Sequence, residues 1–308
     1  MTSETPASRT AASVGFIGLG ILGTAIAQRL AASKRLDTVW NRTPGRSSGL
    51  TAEGVREAAD PAALMGETTV TILCVSDANA VREVTFGPGG LAEGAGPDKI
   101  VVDHSSISPD STRDIAARLA AETGAHWIDA PVSGGPQGAA AGALTVLAGG
   151  SRDDFERVEP LLAPYAGRRS LVGPTGAGQA AKLCNQVIVA ATSWGLAEAT
   201  LLATAAGIDP ARLPEYLEGG FADSPLLHVF QPLLTPGNIA SFGSRDHLLK
   251  DLDAALELAR GANCPMPATA HAAELLRTAR QWSPPLRTGG IFDFLNGPPP
   301  DAGRPDDD

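Results

Sequence analysis

The stretch VGFIGLGILGTAIAQRL, residues 14–30, ends a short apolar run in three glycines and then takes up helical spacing. Val14, Phe16 and Ile17 read as a buried strand, and Gly18, Gly20 and Gly23 form GxGxxG. The apolar positions after Ile21 recur at about 3.6 residues, the period of a helix. Gly18 permits a tight turn, Gly20 lets a pyrophosphate approach the backbone, and Gly23 lets helix and strand pack closely. Free N–H groups and the helix dipole attract phosphates, so Ile21 and Leu22 at the helix start join the three glycines as expected cofactor contacts. A bare GxGxxG also occurs in turns that hold nothing; the strand before it and the helix after it favour a dinucleotide.

Working outward, the chain has 308 residues, long enough for two domains, because single cores stop growing near ~250 to 300 residues. With 43% hydrophobic and 19% charged residues it belongs to the globular class. Its net charge of −10 argues against nucleic acid and membrane surfaces as partners, while leaving room for a local basic pocket. Cys74, Cys184 and Cys264 are widely spaced and odd in number, so no disulfide framework or CxxC metal site is visible, and a reducing cytoplasm is the expected compartment. MTSETPASRTAAS at the N-terminus lacks the apolar core of a signal peptide, and no uninterrupted run of ~18 apolar residues is present.

From Val14 to about Gly173, the strand candidates TVW, TVTILCV, KIVVDHS, HWIDAPV, LTVLAGG and RSLVG alternate with helical segments. That alternation predicts a parallel sheet covered by helices, a Rossmann-type α/β domain over residues 13–175. After GPTGAG the strand signals stop, and QAAKLCNQVIVAATSWGLAEATLLATAAG reads as one long helix closed by Gly207. At ~1.5 Å per residue it would extend about 40 Å and form the spine of an all-helical second domain, residues 176–290. Asp209 and Pro210 restart a helix as cap and first residue, and further helical patterns fall near 211–219, 246–260 and 268–281. Residues 1–12 and the acidic, proline-rich 291–308 are expected to be disordered tails.

The end of the second strand selects between dinucleotides, because an acidic residue there grips the ribose 2′-OH of NAD. VWNRTP occupies that place: Asn41, Arg42 and Thr43 offer an amide, a guanidinium and a hydroxyl suited to a 2′-phosphate, and Arg46 adds a second cation. NADP is therefore expected over NAD. Val75 and Ser76, which follow the strand TILC, are also placed at the cofactor.

Three later stretches carry the chemistry: DHSSISP (103–109), DAPVSGGPQGAAAGALTVLAGG (129–150) and GPTGAGQAAKLCNQ (173–186). Ser133, Gly134 and Gly135 offer a hydroxyl and unobstructed backbone N–H groups, a small anion site suited to a carboxylate. Lys182 and Asn185 lie at i and i+3, so both project from one face of the long helix. A lysine ammonium can donate a proton to a carbonyl oxygen as hydride arrives at carbon, and the amine can take it back in the reverse direction. Asn185 can orient that lysine or bond the substrate. The strand-end carboxylates Asp103 and Asp129 could act as bases but more often bond nearby loops. The five histidines show no metal-ligand spacing, and no metal is expected.

With these residues in view, the chain resembles the β-hydroxyacid dehydrogenase family, the group of 3-hydroxyisobutyrate dehydrogenases and tartronate semialdehyde (2-hydroxy-3-oxopropionate) reductases. The likeness covers residues 14 to about 275 and rests on GFIGLGILG, DHSSISP, DAPVSGG with GAAAGALTVLAGG, GAGQAAKLCNQ and HLLKDLDAAL in order. It implies that Lys182 is the catalytic lysine, that Ser133 to Gly135 hold the substrate carboxylate, and that Asn185 contacts substrate. It further implies that Ser106 lies at the cofactor and that Lys250 reaches back toward the nicotinamide end. The helix-local reading of Lys250 is an ion pair with Asp246 or Asp253. The family implies hydride transfer between NADP and a small hydroxy acid or its aldehyde, in a homodimer or homotetramer built through the helical domain. KLCNQ and GGFADS (219–224) resemble the tartronate semialdehyde branch, whereas VWNRTP, Trp194 and RTGGIFDFLNGPPP depart from the family pattern. The other readings are an NADPH-dependent imine reductase of the same fold, against which Lys182 argues, and a non-catalytic NADP-binding module.

Overall fold

The computed structural model describes residues 12–234 and 245–281. The expected tails, apart from Ala12, and RTGGIFDFLNGPPP lie outside the described residues. Contacts within the chain divide it into two compact units, Met1–Lys182 and Leu183–Asp308. The division falls inside the long helix, later than the 175/176 boundary drawn from the sequence, because the first turns of that helix are hydrogen-bonded to the sheet.

In the first unit the elements run β1 (Val14–Ile17), α1 (Ile21–Ala32), β2 (Thr38–Trp40), α2 (Ser48–Ala52), β3 (Arg56–Glu57), α3 (Pro61–Glu67), β4 (Val70–Leu73), α4 (Ala78–Phe86) and α5 (Leu91–Gly94). They continue with β5 (Ile100–Asp103), α6 (Pro109–Thr123), β6 (His126–Asp129), β7 (Val132–Ser133), α7 (Gly135–Ala140), β8 (Leu144–Gly149), α8 (Arg152–Leu162) and β9 (Ala166–Gly173). The strand order β3-β2-β1-β4-β5-β6 is parallel throughout. The sheet is not parallel to its end, however. β6 and β7 follow each other along one edge of β8 and pair with it antiparallel, while β9 pairs parallel with the other edge. Periodicity shows a strand but not its direction, and the short connection through α7 returns the chain antiparallel. β3, two exposed residues, has no apolar signal to be read.

Strand residues alternate between two cores, as side chains on a pleated sheet must. Phe16, Ile72, Val102 and Ile128 face one cluster, and Ile17, Leu73, Val101 and Trp127 the other. Both faces are covered, which is why the strands read as continuous apolar runs. Side-chain N-caps start four of the helices: Asp60 before Pro61 on α3, Asp77 before Ala78 on α4, Ser108 before Pro109 on α6 and Ser151 before Arg152 on α8. Each is worth about 1 kcal/mol. α1 is different, since it begins at Gly20 with no side-chain cap and no acidic residue in its first turn.

The long helix α9 (Ala177–Ala205) opens the second unit's architecture. Gly207, at φ +72°, closes it in a Schellman arrangement, with Ile208 N–H donating to Ala203 O and Gly207 N–H to Thr204 O. Asp209 and Pro210 then start a 3-10 turn, followed by α10 (Leu213–Leu217), α11 (Pro225–Phe230), α12 (Arg245–Gly261) and α13 (Pro267–Gln281). α11 has too few turns to show a period in sequence. Ala190, Trp194 and Ala197 of α9 pack with Leu249 and Leu252 of α12 and Ala273 and Leu276 of α13. Trp194 is thus a core residue of this unit. By length and composition α9 could also cross a bilayer, although it includes polar residues that interrupt the run, and 33% of its most apolar window is buried.

Candidate coenzyme and active site

The carboxyl ends of the central strands are level. Ile17 pairs with Leu73, Leu73 with Asp103, and Asp103 with Asp129, so the loops after β1, β4, β5 and β6 leave from one edge. The strand order reverses between β1 and β4, where open α/β sheets form their ligand crevice.

On one side of that crevice stands the glycine turn. A Cβ at Gly18, φ +97°, would lie 2.1 Å from Cys74 O, and one at Gly23 would lie 1.9 Å from Gly18 O. Both glycines are therefore required by the backbone itself. A Cβ at Gly20 would meet nothing within 4 Å, so its absence leaves an open cradle over the uncapped start of α1. This set fits a dinucleotide pyrophosphate, with Ile21 exposed and Leu22 half-buried in the same first turn. The half-buried Asn41 side chain is engaged at both ends with backbone. Its Oδ1 accepts from Leu19 N–H at 2.8 Å and its Nδ2 donates to Thr43 O at 2.9 Å, which holds the glycine turn against the end of β2. Arg42, Thr43 and Arg46 are exposed; the Arg42 guanidinium stands 3.6 Å from the Glu83 carboxylate.

The β4 and β5 loops are joined beside it. Val75 N–H donates to Ser105 Oγ at 3.0 Å, next to Ser76 on one loop and Ser106 on the other. Ser105 N–H in turn donates to Asp103 Oδ1 at 2.8 Å, while Asp103 Oδ2 is buried without a partner. Burial pushes the Asp103 carboxyl up to about 7. His104 is buried between Ala130 O and the Tyr165 hydroxyl, 2.5 and 2.8 Å away. A carbonyl can only accept, so Nδ1 carries the proton and Nε2 accepts from Tyr165. Burial holds this ring neutral, with its pKa near 4.

Asp129 closes the arrangement. Its Oδ1 accepts from Gly176 N–H at 2.7 Å and its Oδ2 from Gln179 N–H at 2.9 Å, so a carboxylate at the end of β6 caps α9. Burial raises its pKa to about 6 despite these donors. A Cβ at Gly178 would lie 2.8 Å from Asp129 Oδ2 and 2.4 Å from Leu147 O, which explains the glycine there. From this junction Ser133 lies a few residues along the β6–β7 edge, and Lys182 three residues past Gln179. Gly134 and Gly135 have φ of +123° and +63°, a turn that only glycine makes without strain. Lys182 is 9% exposed.

In the second unit Asn185 Nδ2 donates to Gln186 Oε1 at 3.0 Å, and Gln186 Nε2 to Asp251 Oδ2 at 2.8 Å. The Lys250 amine stands 3.8 Å from Asp251 Oδ1, whereas Asp253 is bonded to Arg277. Sequence reading gave no role to His104, Tyr165, Ser105 or Gln179. Only Gln179 carried a usable signal, its i−3 spacing from Lys182.

Two family models match the chain: the NAD binding domain of 6-phosphogluconate dehydrogenase over residues 13–173, and the NAD-binding domain of NADP-dependent 3-hydroxyisobutyrate dehydrogenase over residues 176–285. The 2-hydroxy-3-oxopropionate reductase of Escherichia coli (strain K12) is 38% identical over 278 residues, 86% of this chain and 90% of that protein. Among solved structures, Mycobacterium tuberculosis 3-hydroxyisobutyrate dehydrogenase with L-serine aligns at TM-score 0.82 and 27% identity, over 94% of this chain and all of that one. Psf3 in complex with NADP+ and 2-OPP aligns at 0.81 and 28%, over 92% and 99%. Fold and site thus define an NAD(P)-dependent hydroxyacid dehydrogenase using a nicotinamide cofactor. The chain belongs to the β-hydroxyacid dehydrogenase family.

The Asp103 carboxyl binds its proton more tightly folded, near 7, than unfolded, at 3.8, so its contribution to stability falls as pH rises between those values. Asp103→Asn removes that dependence. Relative to the parent, the variant's Tm is expected to improve between about pH 5 and pH 8 in thermal unfolding; an offset independent of pH would contradict the assignment.

Proposed function

We propose that this enzyme transfers hydride between NADP and a small β-hydroxy acid or its aldehyde, of the 2-hydroxy-3-oxopropionate or 3-hydroxyisobutyrate type, with Lys182 as general acid and base. The observation that carries this reading is the capping of α9 by Asp129. It ties the helix bearing Lys182 to the strand edge that continues into Ser133–Gly135. Identity to the E. coli 2-hydroxy-3-oxopropionate reductase supports the first substrate type.

When bound across the glycine turn, the nicotinamide dinucleotide supplies or accepts the hydride. Gly18, Gly20 and Gly23, with the first N–H groups of α1, hold its pyrophosphate; Val75, Ser76 and Ser106 lie on the adjoining loops. Arg42, with Thr43 and Arg46, pairs with the 2′-phosphate, and the Asn41 amide keeps the turn in shape. Ser133 Oγ and the backbone of Gly134 and Gly135 orient the substrate carboxylate. Lys182, as an ammonium, donates a proton to the carbonyl oxygen during reduction and, as an amine, removes it from the hydroxyl during oxidation. Asn185 on the same helix face contacts substrate.

The helical unit supports a homodimer. Along α9, Ile188 and Leu202 are 62% and 72% exposed and share an outer stripe with Ala191, Gly195 and Ala199, all exposed. A second copy packing there would remove this apolar face from water, and Gly195 allows close backbone approach.

Three measurements test the reading. Lys182→Ala should lower kcat for 2-hydroxy-3-oxopropionate reduction by at least about 100-fold while leaving NADPH affinity within about twofold; equal turnover refutes the acid/base role. Arg42→Ala should raise KM for NADPH about tenfold, with little change for NADH; NADH outperforming NADPH in the parent refutes the cofactor assignment. Ile188→Glu with Leu202→Glu should shift the sedimentation coefficient from dimer to monomer, and a parent that is itself monomeric would overturn the homodimer.

A further inference from the structure

Gln179 is 1% exposed and precedes Lys182 by three residues on α9, which puts the two side chains on one helix face. Its amide is engaged through both nitrogen and oxygen. Nε2 donates to Ser105 O at 2.7 Å, Oε1 accepts from Ile107 N–H at 3.3 Å, and the backbone N–H of the same residue donates to Asp129 Oδ2 at 2.9 Å. Ser105 Oγ accepts from Val75 N–H. One buried amide therefore joins the β5 loop to the start of α9, and through Ser105 it reaches the β4 loop.

The mechanical consequence follows from helix geometry. Capping by Asp129 fixes the start of α9 at the end of β6 through two backbone bonds. A side chain anchored on the same face as Lys182, one turn before it, adds an attachment off the helix axis that holds the rotation of that face against the β5 loop. It also sets the distance between α9 and the loop that carries Ser106. We propose that Gln179 is a positioning residue, fixing the rotation of α9 so that the Lys182 amine meets a substrate lying beside the cofactor loops. This rests on Lys182 being the acid/base. A purely structural Gln179 would instead satisfy two backbone groups and affect stability alone.

Gln179→Met and Gln179→Glu separate the two. Methionine keeps the volume and loses both amide bonds. A protonated glutamic acid reproduces both, its O–H donating to Ser105 O and its C=O accepting from Ile107 N–H. An ionised one sets an oxygen against the Ser105 carbonyl. Burial favours the protonated form at low pH and the variant therefore carries its own switch. The measurements are kcat and KM against pH, NADPH affinity by fluorescence titration, and thermal unfolding, with Lys182→Ala in parallel.

Gln179→Met should lower kcat about 10- to 100-fold, more than it changes NADPH affinity, since misplacement on the order of 1 Å costs that much. Relative to the parent at each pH, Gln179→Glu should recover kcat at low pH and lose it as pH rises, an additional dependence beyond the one that the parent and Gln179→Met share. Variants that lower Tm but keep kcat within about twofold at every pH would overturn the proposal. If Gln179→Met does not fold, the pH profile of Gln179→Glu decides alone, and a profile matching the parent refutes it. An active Lys182→Ala would refute the acid/base reading instead, whatever the Gln179 variants do.

Discussion

The Asp129 carboxylate, buried at the end of β6, accepts backbone N–H groups from Gly176 and Gln179 and so joins the sheet to the helix that leaves it. A helix start has four N–H groups with no partner inside the helix, and a buried start needs acceptors from elsewhere. Here the acceptor is ionisable and comes from a different strand, so the bond that satisfies α9 also locates it. Small residues make this possible: Gly149 and Gly178 leave no Cβ where the carboxylate must sit. Everything that α9 carries, Lys182 first, inherits its position from this junction.

The opposite choice is made at α1. Its first turn has neither a side-chain cap nor an acid, and the space over Gly20 is open. One helix is thus closed by protein and the other left for an anion, on the same edge of one sheet. The contrast separates a structural helix start from a binding one on physical grounds, since unpaired N–H groups facing solvent are a standing attraction for phosphate.

Between these two helix starts lies a group of buried polar side chains that no apolar core would tolerate unpaired. Burial keeps His104 neutral while it bonds Ala130 O and the Tyr165 hydroxyl, and burial, with Asp129 nearby, pushes Asp103 toward its neutral form. Neutralisation lowers the cost of burying these groups. The same bonds fix the strand-end loops, because His104 holds the carbonyl of Ala130, the residue that begins the run toward Ser133.

How much of this was legible in sequence follows from the range of the interactions involved. The glycine turn, the strand segments themselves, the long helix ending at Gly207 and the Asp209–Pro210 restart are local: period, capping and positive φ act within a few residues, so one stretch of chain determines them. The family motifs likewise named Lys182 and Ser133–Gly135 as candidates. What only the tertiary structure decided are pairings across long separations. Antiparallel β8, the Leu19–Asn41 bond, the His104–Tyr165 bond and the Asp129–Gln179–Ser105 connections join residues whose spacing in the chain carries no period. A carboxylate or an amide reads identically in sequence whether it caps a helix, binds a ligand or faces water. Its partner, and with it its role, is set only when folding brings distant backbone groups within hydrogen-bonding distance.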